Sequence, residues 1–515
     1  MLLPPRGRGC RAAAGAGARQ SRLQALALAL AALGLCAAQR GLARGAAHSP
    51  GQEPEPAGLA AARDVDCDFA ASYPEQYVAR RVRRGAVRVD GALDEAAWSL
   101  APWGSDFVEI AGRDPAPRLR TRAKLLWDEQ FLYVAAELAE PTVWANISST
   151  CHCNASGAPD QVIFHDNDFE VFVDPAGSCA NYKEFEMNAL GADWNLLLDR
   201  PYADGGLENS SRLLGAAGFD LVRYGLRSAA RVYGAVNDPA RASAQDRWTV
   251  EIALPLAGLM YGQPDARDPR VASSGRRETS ESRGRGRGRG RGASSASASS
   301  ASSSSSSRTS YSINTTSTGY QSRANTSTGG DTSSDGSSST TTTSDGDGPV
   351  LWRINFSRVE WRVHAEGGRY VKDAPDEAED NWVWSAQHQV NMHLPERWGV
   401  LQFANGAADA QHQRDRSWSV RQVAMTLYYA QVRHRQDTGA FTDDLASLAA
   451  RAGPWPTQDG RVLEGACSLG APRIALSPAR DAYLATVLSR DGRFEATVDH
   501  HRALHVRHAG HTLLP

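Results

Sequence analysis

The sequence predicts an all-β protein: an antiparallel β-sandwich with a small C-terminal α+β appendage. Three observations carry this. Between residues 67 and 260, short apolar runs alternate with turn residues, the pattern of many short strands. Residues 123–137 and 168–174 read as strands, and the second alternates apolar and polar side chains except at Phe172. Helical spacing sets in after Phe403, where Val420, Val423, Leu427 and Ala430 line one face.

Taken in order, residues 1–38 read as a signal peptide. Arg6, Arg8, Arg11, Arg19 and Arg22 precede an apolar run from Leu23 to Ala38, with cleavage expected from Ala38 onward. The same residues also allow a signal anchor or, with less support, a transit peptide. The run is shorter than a membrane span needs, and no second apolar run reaches that length. Residues 39–66, rich in Ala, Gly and Pro, form a flexible leader. Strands are expected at 86–89, 105–110, 121–127, 131–138, 168–174, 183–188, 194–199, 229–235 and 247–254. Residues 93–98 suit a short helix with Asp94 and Glu95 in its first turn.

Residues 272–348 are low complexity: Arg-Gly repeats, then Ser and Thr. Such a stretch buries too little apolar surface to offset its ordering entropy, so disorder is expected. Arg-Gly repeats can bind RNA, but the near-neutral charge of −2 gives no global case for nucleic acid. Strand patterning resumes at Trp352, so residues 67–408 are read as one sandwich interrupted by this insertion. Residues 409–515 hold a helix over 417–435, stopped by Gly439. A hairpin of 483–488 and 494–498 follows, turning at Asp491-Gly492. The five His between His500 and His511 suit a solvated tail better than a metal site.

Secretion is the expected localisation. It makes the Asn-x-Ser/Thr sites at Asn146, Asn154, Asn209 and Asn355 glycosylation candidates; two more, Asn314 and Asn325, fall in the insertion. Past the leader, five cysteines remain, an odd number. Cys151 and Cys153 are too close to pair with each other, and one is expected to bridge to Cys179 or Cys67. Cys151-His-Cys153 is a poor zinc motif.

Alternation sorts the side chains of two strands. Phe169, Val171 and Val173 form one face of the first; Asp168, Glu170, Phe172 and Asp174 form the other. In the second, Tyr182, Glu184, Glu186 and Asn188 share a face. If the strands pair, Glu170, Glu184, Glu186 and Asn188 line one polar surface, expected to be open to solvent. Carboxylates and amides beside aromatic rings suit sugar hydroxyls and the C–H face of a pyranose. Paired carboxylates also raise glycoside hydrolysis, but an open face would lack the burial that separates their pKa values.

Four segments in order carry a family resemblance: Val89-Asp-Gly-Ala-Leu-Asp-Glu-Ala-Ala-Trp98, Leu125-Leu-Trp-Asp-Glu-Gln-Phe-Leu-Tyr-Val134, Asp166-Asn-Asp-Phe-Glu-Val-Phe-Val-Asp-Pro175 and Glu396-Arg-Trp-Gly-Val-Leu-Gln-Phe403. The chain resembles the family 9 carbohydrate-binding modules. The resemblance implies a non-catalytic β-sandwich whose partner is a polysaccharide or oligosaccharide. It places Glu170 as the acceptor of sugar hydroxyls. The two tryptophans that hold the sugar in the family fall at Phe164 and Met392, neither of them Trp; Trp144, Trp382 and Trp384 are the nearby substitutes. Calcium, bound by some members, would find oxygen ligands in Asp166, Asn167, Asp168 and Asp174.

Overall fold

In the computed structural model, residues 64–113, 117–148, 162–274, 348–373, 379–406 and 409–510 are described. The expected signal peptide, nearly all of the leader, Cys151, Cys153, Asn154 and all but the edges of the low-complexity insertion lie outside them.

The chain is built from strands, as its alternating pattern requires. The first ten are β1 (Gln76–Arg81), β2 (Val108–Glu109), β3 (Thr121–Trp127), β4 (Phe131–Ala139), β5 (Asp168–Asp174), β6 (Tyr182–Asn188), β7 (Asp193–Leu198), β8 (Glu208–Asn209), β9 (Arg227–Tyr233) and β10 (Arg247–Pro255). Beyond the insertion come β11 (Val350–Glu360), β12 (Val363–Glu366), β13 (Arg369–Lys372), β14 (Asp380–Val383) and β15 (Gly399–Ala404). All but β12 and β13 join one sheet in the order β8-β7-β6-β5-β11-β15-β1-β3-β4-β10-β9, with β14 beside β11 and β2 beside β14. The sheet is mixed, not purely antiparallel: β1 runs parallel to both β15 and β3. It folds over at β1. The side chains of β3, β4 and β10 meet those of β5, β6 and β11 in one core that includes Trp127, Val134, Ile252, Phe169, Phe185 and Phe356.

Several sequence expectations change. Residues 86–89 form no strand, and of 105–110 only Val108–Glu109 pairs. Strand β1 had no sequence signal; its parallel partners are far away in the chain. The short helix is a 3-10 turn over Ala96–Leu100, so Asp94 and Glu95 precede it. What holds this region is Glu251. It accepts the Trp98 indole at 2.7 Å and the backbone N–H groups of Asp90 and Gly91 at 2.9 Å each.

The C-terminal region folds as helix α1 (Trp418–Thr438), closed by Gly439 in the left-handed conformation (φ 85). It packs on a four-stranded antiparallel sheet of β16 (Arg473–Leu476), β17 (Tyr483–Leu488), β18 (Phe494–Asp499) and β19 (Leu504–His508). The expected hairpin is β17–β18. This region is tied to the sandwich in many places. Cys67 and Cys467 form a disulfide. Arg353 pairs with Asp415 at 2.8 Å, and Arg502 with Asp204 and Glu396 at 2.8 and 3.1 Å. The disulfide corrects the expected bridge from Cys151 or Cys153 to Cys67. Cys179 is a buried thiol 3.7 Å from a Glu396 oxygen. Of the glycosylation candidates, Asn146 is exposed and Asn209 half-buried. Asn355 is wholly buried in β11, its amide bonded to Ser385 in both directions, so the folded strand has no room for a glycan there.

Candidate functional site: a buried carboxylate face

Strands β5 and β6 pair in the register that alternation required. Glu170 lies opposite Glu186, Asp168 opposite Asn188 and Phe172 opposite Glu184. On the other side of β5, Ser357 of β11 stands opposite Glu170. On the other side of β6, Trp194 of β7 stands opposite Glu186. Phe169, Val171, Val173, Phe185 and Met187 all turn into the main core. The carboxylates take the second face.

That face is not open to solvent, contrary to the expectation from alternation. Asp168 is 0% exposed, Glu186 1%, and Glu170 and Glu184 5% each. A second apolar layer of Ile110, Phe172, Tyr182, Leu196, Leu198, Val383, Met392 and Trp398 shares the face. Loss of water drives the carboxylates toward their neutral forms. Burial pushes Glu170 up to about 7. Asp168, Glu184 and Glu186 are also raised, by burial first and by the charge of neighbouring carboxylates second. Among the described residues no Lys or Arg forms an ion pair with any of the four. Both oxygens of Asp168 and one each of Glu184 and Glu186 have no hydrogen-bond partner there. Buried polar groups are otherwise nearly always paired, so this cluster is exceptional.

The remaining candidates separate cleanly. Asn188 is a clamp: its amide donates to Ile147 O and Asp166 Oδ2 at 2.9 Å each and accepts from Leu190 N and Ala192 N. No valence of its side chain is left for a ligand. Tyr182 is buried against Trp398, and its hydroxyl lies 3.0 Å from His393 Nδ1. Met392 packs in the same layer, and its carbonyl accepts the Trp398 indole at 2.8 Å. Trp384 and Trp382 belong to the main core on the opposite face, so neither stands in for a sugar-holding tryptophan here. Trp384 fills the space above Gly399: a Cβ there would sit 2.2 Å from its ring. That contact explains the glycine of the Trp398-Gly399 pair in the sequence motif. Trp144 is buried, with the Lys372 ammonium 5.4 Å from its ring. Phe164 is half-buried at the entrance to β5, and its carbonyl accepts the Trp361 indole at 2.8 Å.

The rim holds groups that the sequence reading missed. Tyr202, 45% exposed, lies close enough to Glu184 and Glu186 for their charge to raise its pKa, after burial of its hydroxyl. Its ring meets His393 edge-on at 4.7 Å. Trp194 is half-buried, with the Arg212 guanidinium 4.6 Å over its ring. Trp361 carries Lys372 at 3.3 Å. Only Trp194 had a usable signal, since it follows the acidic strand by one turn.

The four residues expected to hold calcium do not converge. Asp168 and Asp174 sit at opposite ends of β5, about 20 Å apart at strand rise. Asp166 Oδ2 already accepts from Asn146 N, Ile147 N and Asn188. Asn167 bonds Trp361 N and Glu140, and Asp174 bonds Cys179 N and Gln263. Convergence occurs instead among Asp168, Glu170 and Glu186, whose ligand oxygens all lie within 4.8 Å of one another.

Fold and site together define an all-β domain with a carboxylate-lined strand face. Residues 89–197 match the sequence model of the carbohydrate family 9 binding domain-like family, a stretch that contains Phe164, Glu170, Tyr182, Glu184 and Glu186. The chain is similar to a family 9 carbohydrate-binding module from Caldicellulosiruptor kristjanssonii in complex with cellotriose: 11% identity, TM-score 0.28, covering 66% of this chain and 100% of that one. The same module in complex with glucose matches at 10% identity and TM-score 0.28, with the same coverage. A Bacteroides uniformis protein described as a candidate carbohydrate-binding protein matches at 11% identity and TM-score 0.34, over 64% of this chain and 100% of that one. No curated protein matches the chain.

Proposed function

We propose that this protein binds a saccharide at the β5–β6–β7 face, in the secretory pathway or outside the cell, and does no chemistry on it. The observation that carries the reading is the register that sets Glu170, Glu184 and Glu186 side by side within the family-matched stretch. Hydroxyl groups would donate to Glu184 and Glu170, and the exposed Tyr202 ring offers an apolar plane at the rim. Because the floor is buried, hydroxyl-to-carboxylate bonds form there without competing water, which strengthens each.

A glycan array probed with the full chain tests the reading. On a glycan that binds, Glu184→Gln and Tyr202→Ala are each expected to weaken affinity by roughly 10- to 100-fold, the loss of one buried hydrogen bond or one stacking plane. An array without hits favours an adhesion or assembly role that kept the fold without sugar binding. One observation favours glycoside hydrolysis as the second reading: Glu170 is buried and raised to about 7, where an open face would have left it acidic. Release of new reducing ends from a bound glycan would establish that reading instead.

A further inference from the structure

We propose that Asp168, Glu170 and Glu186 hold one calcium-sized divalent cation on the floor of the strand face. The site differs from the calcium ligands expected from sequence, and it does not require that a sugar bind above it.

Three observations lead there. The first is convergence: one oxygen from each of the three carboxylates lies within 4.8 Å of the others. Oxygens on opposite sides of a calcium ion are about 4.6–5.2 Å apart, and on opposite sides of magnesium about 4.0–4.2 Å, twice the respective metal–oxygen distances. The oxygens can therefore close on calcium with little movement. The second is the want of any other partner. Both Asp168 oxygens, one of Glu186 and one of the adjacent Glu184 are buried without a well-formed hydrogen bond among the described residues, and the Val359 N–H is the backbone donor near Asp168. The third is charge. Four carboxylates share the face, and no described Lys or Arg forms an ion pair with any of them. A divalent cation supplies the charge that the protein withholds, and each carboxylate can offer one or two oxygens.

A second acidic group makes the contrast. Asp90, Glu95 and Glu251 also bring oxygens within 4.8 Å of one another. There Glu251 already accepts two backbone N–H groups and an indole. In that group one oxygen, of Glu95, lacks a partner; among Asp168, Glu170 and Glu186 three do.

The test uses the full chain, treated with chelator and returned to chelator-free buffer, with calcium chloride as the probe. Titration calorimetry is expected to give one site per chain, tighter for calcium than for magnesium. Glu186→Gln and Asp168→Asn are each expected to weaken calcium at least tenfold. Glu170→Gln separates a ligand from a structural residue. It should weaken calcium binding yet raise the melting temperature of the calcium-free protein, because it removes one ionisable acid from a crowded cluster that no cation of the protein compensates. No calcium binding by the native chain, or undiminished binding in folded Glu186→Gln, overturns the proposal. Calcium binding with a silent glycan array leaves the cation site standing and removes the saccharide. Glycan binding unaffected by chelator, with no calcium bound, does the reverse.

Discussion

His393 shows how one residue couples the candidate site to pH. It lies beneath Tyr202 and beside Phe172, and its Nδ1 meets the Tyr182 hydroxyl at 3.0 Å. Burial lowers its pKa to about 4, so the folded protein keeps the ring neutral. The unfolded chain binds a proton near the ordinary value of about 6.5. Between these values the unfolded state carries more protons, so stability falls as pH drops from about 6.5 toward 4. Urea unfolding at pH 7 and pH 4.5 should differ by about 1–2 kcal/mol more in the native chain than in His393→Gln. Equal differences would place the acid sensitivity elsewhere. Asn355 teaches a related lesson. Its sequon is intact, yet in the folded chain it sits in the middle of β11 with both amide groups engaged, where a glycan does not fit.

Among the elements, the β18–β19 turn is where the C-terminal sheet is bolted to the sandwich. Arg502, buried there, donates to Glu396 at 3.1 Å and pairs with Asp204 at 2.8 Å. Tyr428 and Tyr429 of α1 donate to the same two carboxylates, the first at 2.5 Å. Removing the cation would leave two carboxylates buried with only hydroxyl and thiol partners. Arg502→Met is therefore expected to cost about 3–5 kcal/mol, read as a drop in denaturant midpoint. A change below 1 kcal/mol would mean that the two halves are not held through this cluster. The sequence led to α1 and the β17–β18 hairpin through local spacing, but their attachment was invisible. It rests on Glu396 and Asp204, which carried no motif linking them to Arg502.

For the whole molecule, the insertion is the largest feature that the fold must tolerate. Its flanks are held together: Arg267 donates to Pro349 O at 2.9 Å, and the Trp352 indole donates to Arg267 O at 3.0 Å. Loop closure costs little more for a long connection than for a short one. Replacing residues 275–347 with a short Gly-Ser linker is therefore expected to leave a folded protein with one cooperative transition. Two transitions, or failure to fold, would show that the flanks depend on the inserted segment.

What the sequence determined by itself was local. Alternation of period two assigned every side chain of β5 and β6 to its face, because that pattern is written between residues i and i+2. It also predicted the all-β class, the Gly439 stop of α1 and the Asp491-Gly492 turn. Only the tertiary structure decided what lies against each face. It put Trp384 in the core over Gly399, made Asn188 a clamp, paired Cys67 with Cys467 and withdrew Glu170, Glu184 and Glu186 almost wholly from solvent. The physical reason is that burial belongs to pairs of surfaces. The layer of Ile110, Val383, Met392 and Trp398 comes from segments far from β5 in the chain, and no periodicity within β5 records its arrival.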